Sequence, residues 1–443
     1  MGQTLGEPIK TKESSSCGNS FYKVGSSCMQ GWRISMEDAH THLLALPDDN
    51  KAAFFAVYDG HGGAKVSEYA GIHLHKRIVN NQFYKEDRIP EAIQHGFLDL
   101  DEQMINDEGI KEEMSGTTAI IVLIKNNREV YCGNVGDSRA VSCINGVAFP
   151  LSYDHKPGNE LEQKRITEAG GWVEFNRVNG NLALSRALGD FAFKRNNTKL
   201  PKDQIVTAYP DVSSLELTKD VEFIVIACDG IWDVMNNAEV VNFCRTRLQR
   251  KMEPEAICEE LLDTCLSPDC ELSGLGCDNM TVILILTLQG DSMDEFYTRV
   301  SRSIPESEVK NPIKMCTEVA HTVCDETFAT PNQSPTATEE ENESEDEKPP
   351  MVFSVSDAND KTPEKEKSKE EDEQNDDIFD LLVFFIDSNL KFFVMQIFFC
   401  YSAPLHLLIL KEDRVLLFLR FIKRKLGHFF AMSYCHSFFS CLI

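Results

Sequence analysis

FFAVYDGHGGAKVSEYA, residues 54–70, decides how the rest of the chain is read. The run Ala52 to Tyr58 is apolar without interruption, the pattern of a strand buried on both faces. It stops at Asp59, passes through Gly60, His61, Gly62 and Gly63, and gives way to a helical period that runs to about Val79. A carboxylate at the end of a rigid strand has little freedom to relax. The glycines beside it let backbone carbonyls approach whatever it binds. Asp-Gly after a strand is ordinarily a turn. Gly60 to Lys65 lacks P-loop spacing, and without a G-x-S-x-G elbow the HGG is not an esterase oxyanion loop. Recurrence argues against a mere turn, because Glu37 and Asp38, Asp229 and Asp278 also sit at the ends of apolar runs.

Outward from this stretch the elements come in groups. Tyr22 to Leu46 reads as two strands, with Arg33, Ser35 and Glu37 on one face by period-two alternation. Helices are predicted over Gly63–Val79 and Pro90–Asn106. Strands follow at Thr117–Ile124, Glu129–Asn134 and Arg139–Cys143, with Asn145-Gly146 as a hairpin signal. Asn159 caps a helix to Ala169. Val221–Cys228 is a buried strand, helices are predicted over Asn237–Gln249 and Pro254–Cys265, and Met280–Leu288 closes the pattern. Hairpin-linked strands with paired helices predict an α+β fold: two mostly antiparallel sheets packed face to face with helices outside.

The flanks differ from this core. Residues 1–21 read as a flexible tail, with Gly2 a candidate for acylation, although Gly6 stands where the motif asks for Ser or Thr. The core spans 22–290, and a small helical segment is expected over 291–328. Residues 329–377 have the composition of a disordered acidic linker. The net charge is −27, and residues 339–377 hold 17 acids against 5 bases, so nearly half the excess lies in that linker. No basic stripe with interleaved aromatics points to nucleic acid. The 15 cysteines are scattered, many in apolar strands, and read as free thiols in a reducing compartment. Cys265, Cys270 and Cys277 cluster without zinc-like spacing and read as structural. The cytoplasm is the expected location, with the nucleus also open.

Residues 378–443 form a hydrophobic tail. Phe392 to Leu410 approaches the length of a bilayer span, but Gln396, Pro404 and His406 interrupt it. The basic residues Arg420, Lys423, Arg424 and Lys425 follow it, which would put a thiol-rich domain on the wrong side of the membrane. Peripheral attachment, a re-entrant hairpin, or a tail foreign to the natural product fit better.

Taken together, the acidic residues suit a pair of Mg²⁺ or Mn²⁺ ions, which take oxygen ligands and can share a carboxylate. Asp59 would bridge, the Gly60 carbonyl would serve one ion, Asp229 and Asp278 would complete the site, and Glu37 and Asp38 would act directly or through water. Such a centre yields hydroxide near neutral pH. Arg33 would hold an anion, and His61 would protonate a leaving oxygen. The parts make phosphate-ester hydrolysis.

RISMED (33–38), VYDGHGG (57–63), SGTTA (115–119), GNVGDSRA (133–140), DHKP (154–157), VNGNLALSRALGD (178–190), ACDGIWDV (227–234) and GCDNMT (276–281) together resemble the metal-dependent protein phosphatase 2C family of serine/threonine phosphatases. The likeness covers about residues 22–290 in family order. It implies an α-β-β-α sandwich with a dinuclear centre at one end. It also implies Asp59 as bridging ligand, the Gly60 carbonyl, Asp229 and Asp278 as direct ligands, Glu37 and Asp38 in support, Arg33 on the substrate phosphate and His61 as general acid. Asp137 resembles the aspartate that joins Asp229 at a weaker third metal. His155 reads as structural, and Asp233 either as near the metals or as a helix-turn residue. The implied partners are phosphorylated proteins, with a membrane surface open through Gly2 or the tail, and the chain is expected to be a monomer. Two other readings stay open at this point: a tethered interaction protein dominated by its tail, and a hydrolase of small phosphate esters. Substrate choice would fall to the loop Ala169–Pro210.

Overall fold

The computed structural model describes residues 4–47, 49–270 and 274–317, and the backbone of 383–385, 392–396 and 408–411. The first compact unit, Met1–Pro331, contains two six-stranded antiparallel sheets. One runs, edge to edge, Thr4–Gly18, Tyr22–Arg33, Met280–Thr287, Val221–Ala227, Arg139–Ile144 and Val147–Pro150. The other runs Lys314–Met315, Asp211–Glu216, Glu129–Val135, Ala119–Lys125, Ala52–Tyr58 and Ala39–Leu43.

The unbroken apolar run at 52–58 is explained by its two faces. Phe54, Ala56 and Tyr58 pack with Leu74, Ile78, Ile93 and Phe97 of the helices Lys65–Asn80 and Ile89–Asn106. Ala53, Phe55 and Val57 face the other way, into a core between the sheets that they share with Val24, Val122, Ile224 and Ile283. The opposite outer layer is formed by Asn237–Gln249, Pro254–Cys265 and Met293–Val300, which cover Val225, Leu284 and Leu286. The layers are therefore α-β-β-α, as the strand and helix grouping predicted. A strand buried on both faces cannot alternate polar and apolar residues.

Several expectations about the flanks change. Residues 4–18, read as part of a flexible tail, form a strand that pairs antiparallel with Tyr22–Arg33. Its residues are largely exposed, so its composition resembles that of a tail. What holds it is backbone pairing at a sheet edge, assisted by hydroxyl contacts Ser14–Ser27 and Ser15–Ser26, each 3.0 Å. Of the helical segment expected over 291–328, only Met293–Val300 is α-helical among the described residues; Lys314–Met315 instead adds a short strand beside Ser213 and Ser214. Cys270 and Cys277 are joined in a disulfide, against the expectation of free thiols, whereas Cys132, Cys143, Cys228, Cys244, Cys258 and Cys265 are free and buried. Gly2 and the acidic linker lie outside the described residues.

In the second unit, Val383–Phe385, Phe392–Gln396 and Leu408–Lys411 pair as a three-stranded antiparallel sheet. Among the described residues no helix is long and apolar enough to cross a membrane.

Candidate active site

Asp59 follows directly on the buried strand Ala52–Tyr58. Its amide donates to Thr118 Oγ1 (3.1 Å) and its carbonyl accepts from the Thr118 amide (2.9 Å), so both backbone groups are fixed. Asp229 starts the short helix Asp229–Trp232 at the end of strand Val221–Ala227. Asp278 immediately precedes Asn279, whose side chain staples two loops: its Nδ2 donates to the carbonyls of Gln30 (2.8 Å) and Ser35 (2.9 Å), and its Oδ1 accepts from the Glu37 amide (2.9 Å). Strand ends as distant in sequence as those at Glu37 and Asn279, 242 residues apart, are thereby brought to one end of the sandwich.

They meet in a cleft of about 490 Å³, lined among others by Arg33, Glu37, Asp59, Gly60, His61, Asp137, Asp229 and Asp278. Oxygens of Asp59, Asp137 and Asp229 lie within 4.8 Å of one another, and Asp38 and Cys228 form a second group with Asp59 at the same spacing. Asp38 accepts from Thr281 Oγ1 (2.7 Å) through one oxygen, while its Oδ1 is buried without a hydrogen-bond partner. Glu37 is held by Ser35 Oγ (2.8 Å) and the Gly63 amide (3.2 Å). Gly60 is a close-approach position, because a Cβ there would overlap the Glu37 carbonyl and Ser67 Oγ.

The electrostatics follow from this crowding. Burial, then the like charges of Asp229, Asp38, Asp278 and Asp137, push the Asp59 carboxyl well above the usual range. Asp229 is raised in the same way, by burial and by Asp137, Asp278 and Asp233. Burial pushes Asp38 up to about 7, with the Thr281 hydrogen bond opposing and the Asp278 charge adding to it. Asp137 is raised by burial although Lys156 Nζ sits 2.5 Å away. Carboxylates packed this tightly and at least half-buried are costly unless a cation joins them. The Asp59, Asp137 and Asp229 group is all oxygen, and burial pushes the Cys228 thiol of the second group well up, away from the thiolate form, which suits Mg²⁺ or Mn²⁺ rather than a thiolate-seeking metal. The orphaned Asp38 oxygen fits the same ions.

Arg33 Nη2 lies 2.5 Å from Asp278 Oδ2 at the cleft mouth. His61 lies on a small three-stranded sheet, Leu188–Gly189, Gly116–Thr117 and Gly60–His61, and its Nε2 is 2.7 Å from Asp190 Oδ2. Burial disfavours the charged ring, but Asp190 outweighs it and raises the His61 pKa above the ordinary histidine value.

The protein phosphatase 2C family model matches residues 22–274. The chain belongs to the protein phosphatase 2C family. A probable protein phosphatase 2C of Caenorhabditis elegans is 63% identical over 311 residues, covering 70% of this chain and 87% of its own. Protein phosphatase 2C homolog 2 of Schizosaccharomyces pombe is 45% identical over 312 residues, covering 70% and 84%. A crystal structure of a phosphatase from Toxoplasma gondii superposes with a TM-score of 0.55 at 27% identity, covering 62% of this chain and 96% of that one. As a protein phosphatase 2C, the chain is a metal-dependent serine/threonine phosphoprotein phosphatase, and the family implies Mg²⁺ or Mn²⁺.

The structure brings the sequence-derived candidates together at this end, Gly2 lying outside the described residues. Asp233 lies one turn after Asp229, with its amide on the Asp229 carbonyl (2.9 Å), and contributes to the raised pKa of Asp229. His155 is buried, accepts from the Gly136 amide at Nδ1 (3.2 Å) and meets Asp211 at Nε2 (3.0 Å), as a structural residue would. Sequence reasoning gave no role to Thr118, Lys156, Asn279 or Asp190. Lys156 and Asp190 stand inside the quoted motifs DHKP and VNGNLALSRALGD, but their partners lie 19 and 129 residues away.

Proposed function

We propose that Asp59, Asp229 and Asp278, with Glu37, Asp38 and the Gly60 carbonyl, hold a dinuclear Mg²⁺ or Mn²⁺ centre for hydrolysis of phosphoserine and phosphothreonine in proteins. Asp137 joins Asp229 in a weaker third position. The observation that carries this reading is the cluster of Asp59, Asp137 and Asp229 oxygens within 4.8 Å of one another, Asp137 buried and the other two half-buried. When bound, the ions supply Lewis acidity, lowering the pKa of water and drawing charge from the phosphoryl oxygens.

The chain's own groups do the rest. Arg33 orients the substrate phosphate with its guanidinium. Its contact with Asp278 holds the side chain at the cleft mouth until phosphate arrives. His61 gives its proton to the departing serine or threonine oxygen. Arg177, Asn181, Leu182, Ala183 and Leu184 of the segment expected to set substrate choice line the same cleft, which supports a role in selecting the flanking peptide.

The test is phosphopeptide hydrolysis by the full chain with Mn²⁺, with chelator, and as Asp59→Asn and Asp229→Asn. Turnover that needs Mn²⁺ and is lost in both variants, with the fold kept, supports the assignment. Full turnover by either variant sinks it. Acylation of Gly2 is a separate question, answered by the mass of the purified chain.

A further inference from the structure

The geometry points to Asp190 as the positioning residue of the proton donor: it takes the Nε2–H of His61, fixes the ring, and leaves Nδ1 to serve the leaving oxygen. This rests on the reading of His61 as the acid.

Asp190 is 6% exposed, and it is absent from the residues that line the cleft, whereas His61 is among them. Its Oδ2 is 2.7 Å from His61 Nε2. The nearby cation Lys194 is already used, by Asp101 (2.8 Å to both oxygens) and the Ala187 carbonyl (2.8 Å). Among the described residues His61 is therefore the charge partner of Asp190.

The fold holds the pair at a cost. Asp190 is left-handed, with φ 49° and ψ 39°, a conformation unfavourable for a residue with a side chain. Its amide on the Ser115 carbonyl (3.2 Å) and its carbonyl under the Phe193 amide (3.0 Å) keep it there. The strand Gly116–Thr117 lies between Gly60–His61, which carries the imidazole, and Leu188–Gly189, which leads directly into Asp190. At Gly116 a Cβ would fall on both Asp190 Oδ2 and His61 Nε2. The missing side chain is what lets the carboxylate and imidazole meet.

A buried carboxylate on the far nitrogen of an imidazole fixes its tautomer and orientation. The proton balance is then simple. As a water oxygen bonds to phosphorus and gives up a proton to solvent, the bond between phosphorus and the serine oxygen breaks; its electron pair goes to that oxygen, which takes the proton from His61 Nδ1. His61 is left neutral and regains a proton from solvent, while Asp190 stays ionised throughout.

The experiment compares two esters, a phosphoserine peptide and p-nitrophenyl phosphate, with the full chain and saturating Mn²⁺. p-Nitrophenolate departs without a proton, so loss of acid catalysis falls on the peptide alone. His61→Gln and Asp190→Asn are each expected to lower kcat on the peptide by about 10²-fold while leaving p-nitrophenyl phosphate within roughly threefold. The double variant should be no worse than His61→Gln, because the two act as one unit. Gly116→Ala, which displaces the pair without removing either group, should show the same selectivity and decides the matter if Asp190→Asn does not fold. Retention of the Mn²⁺-induced thermal shift reports the fold of each variant. Selective loss in His61→Gln with equal loss of both esters, or no loss, in Asp190→Asn and Gly116→Ala would overturn the role of Asp190. Equal loss of both esters in His61→Gln would overturn the acid reading itself, and the role of Asp190 with it.

Discussion

Replacing Asp59 by Asn should make the metal-free protein more stable while destroying its response to metal. The carboxylates of Asp59, Asp137 and Asp229 come within 4.8 Å of one another. Two unit charges at that distance repel by about 3.5 kcal/mol at an effective dielectric constant of about 20. Asp59 takes part in two such pairs, but proton uptake by the cluster relieves part of the repulsion in the wild type. The net gain expected for the metal-free variant is therefore about 1–3 kcal/mol, which corresponds to roughly 2–6 °C in Tm for a unit of this size. Metal at about 100 times its Kd should raise wild-type stability by about 2.7 kcal/mol, and the variant should gain far less. The assay is thermal unfolding of the full chain in chelator and across a Mn²⁺ titration. A metal-free Asp59→Asn protein less stable than wild type, or one with the full Mn²⁺ shift, would refute the argument that the cluster is held together at a cost that metal repays.

Three further outcomes follow from other parts of the structure. Arg33→Ala should lower kcat/KM for phosphopeptide about 10- to 100-fold, the worth of a charge-assisted hydrogen-bond pair, with metal binding retained in the thermal titration. Gly60→Ala forces a Cβ against the Glu37 carbonyl; a loss of about 2 kcal/mol or more in denaturant unfolding is expected, together with loss of turnover. Glu162 binds Arg186 (2.6 Å) and Arg165 (2.7 Å) with almost no exposure, so Glu162→Gln should cost about 3–5 kcal/mol at pH 7. Burial alone would raise Glu162 and Asp211, but for Glu162 the charges of Arg186 and Arg165, and for Asp211 the Arg186 charge and the hydrogen bond from His155, hold both below the usual carboxylate range. Their contribution is complete above the unfolded carboxylate pKa of about 4 and is lost as pH falls toward the folded values. Wild-type stability should therefore drop more steeply than that of Glu162→Gln between about pH 5 and pH 2 in acid-unfolding measurements.

What could be read directly from the chain was whatever is carried by neighbours in sequence. The apolar run at 52–58, the helical periods that follow it and the hairpin at Asn145-Gly146 each signal through contiguous residues, and the sandwich layers follow from their order. The acidic residues at strand ends marked Asp59, Asp229 and Asp278 because a strand end is a local feature. The resemblance in motifs added Asp137, which spacing alone would have left as a turn residue. Only the tertiary structure decided the rest. The strand Thr4–Gly18 is polar and exposed, and it exists because Tyr22–Arg33 offers an open edge for its backbone. Asp190 meets His61 from 129 residues away through a three-stranded sheet and the vacant side of Gly116. Lys156 meets Asp137, and Asn279 staples Glu37 to Gln30, in the same way. Charge pairing and hydrogen bonding depend on distances of a few ångströms, and those distances are set by how the sheets pack rather than by spacing along the chain.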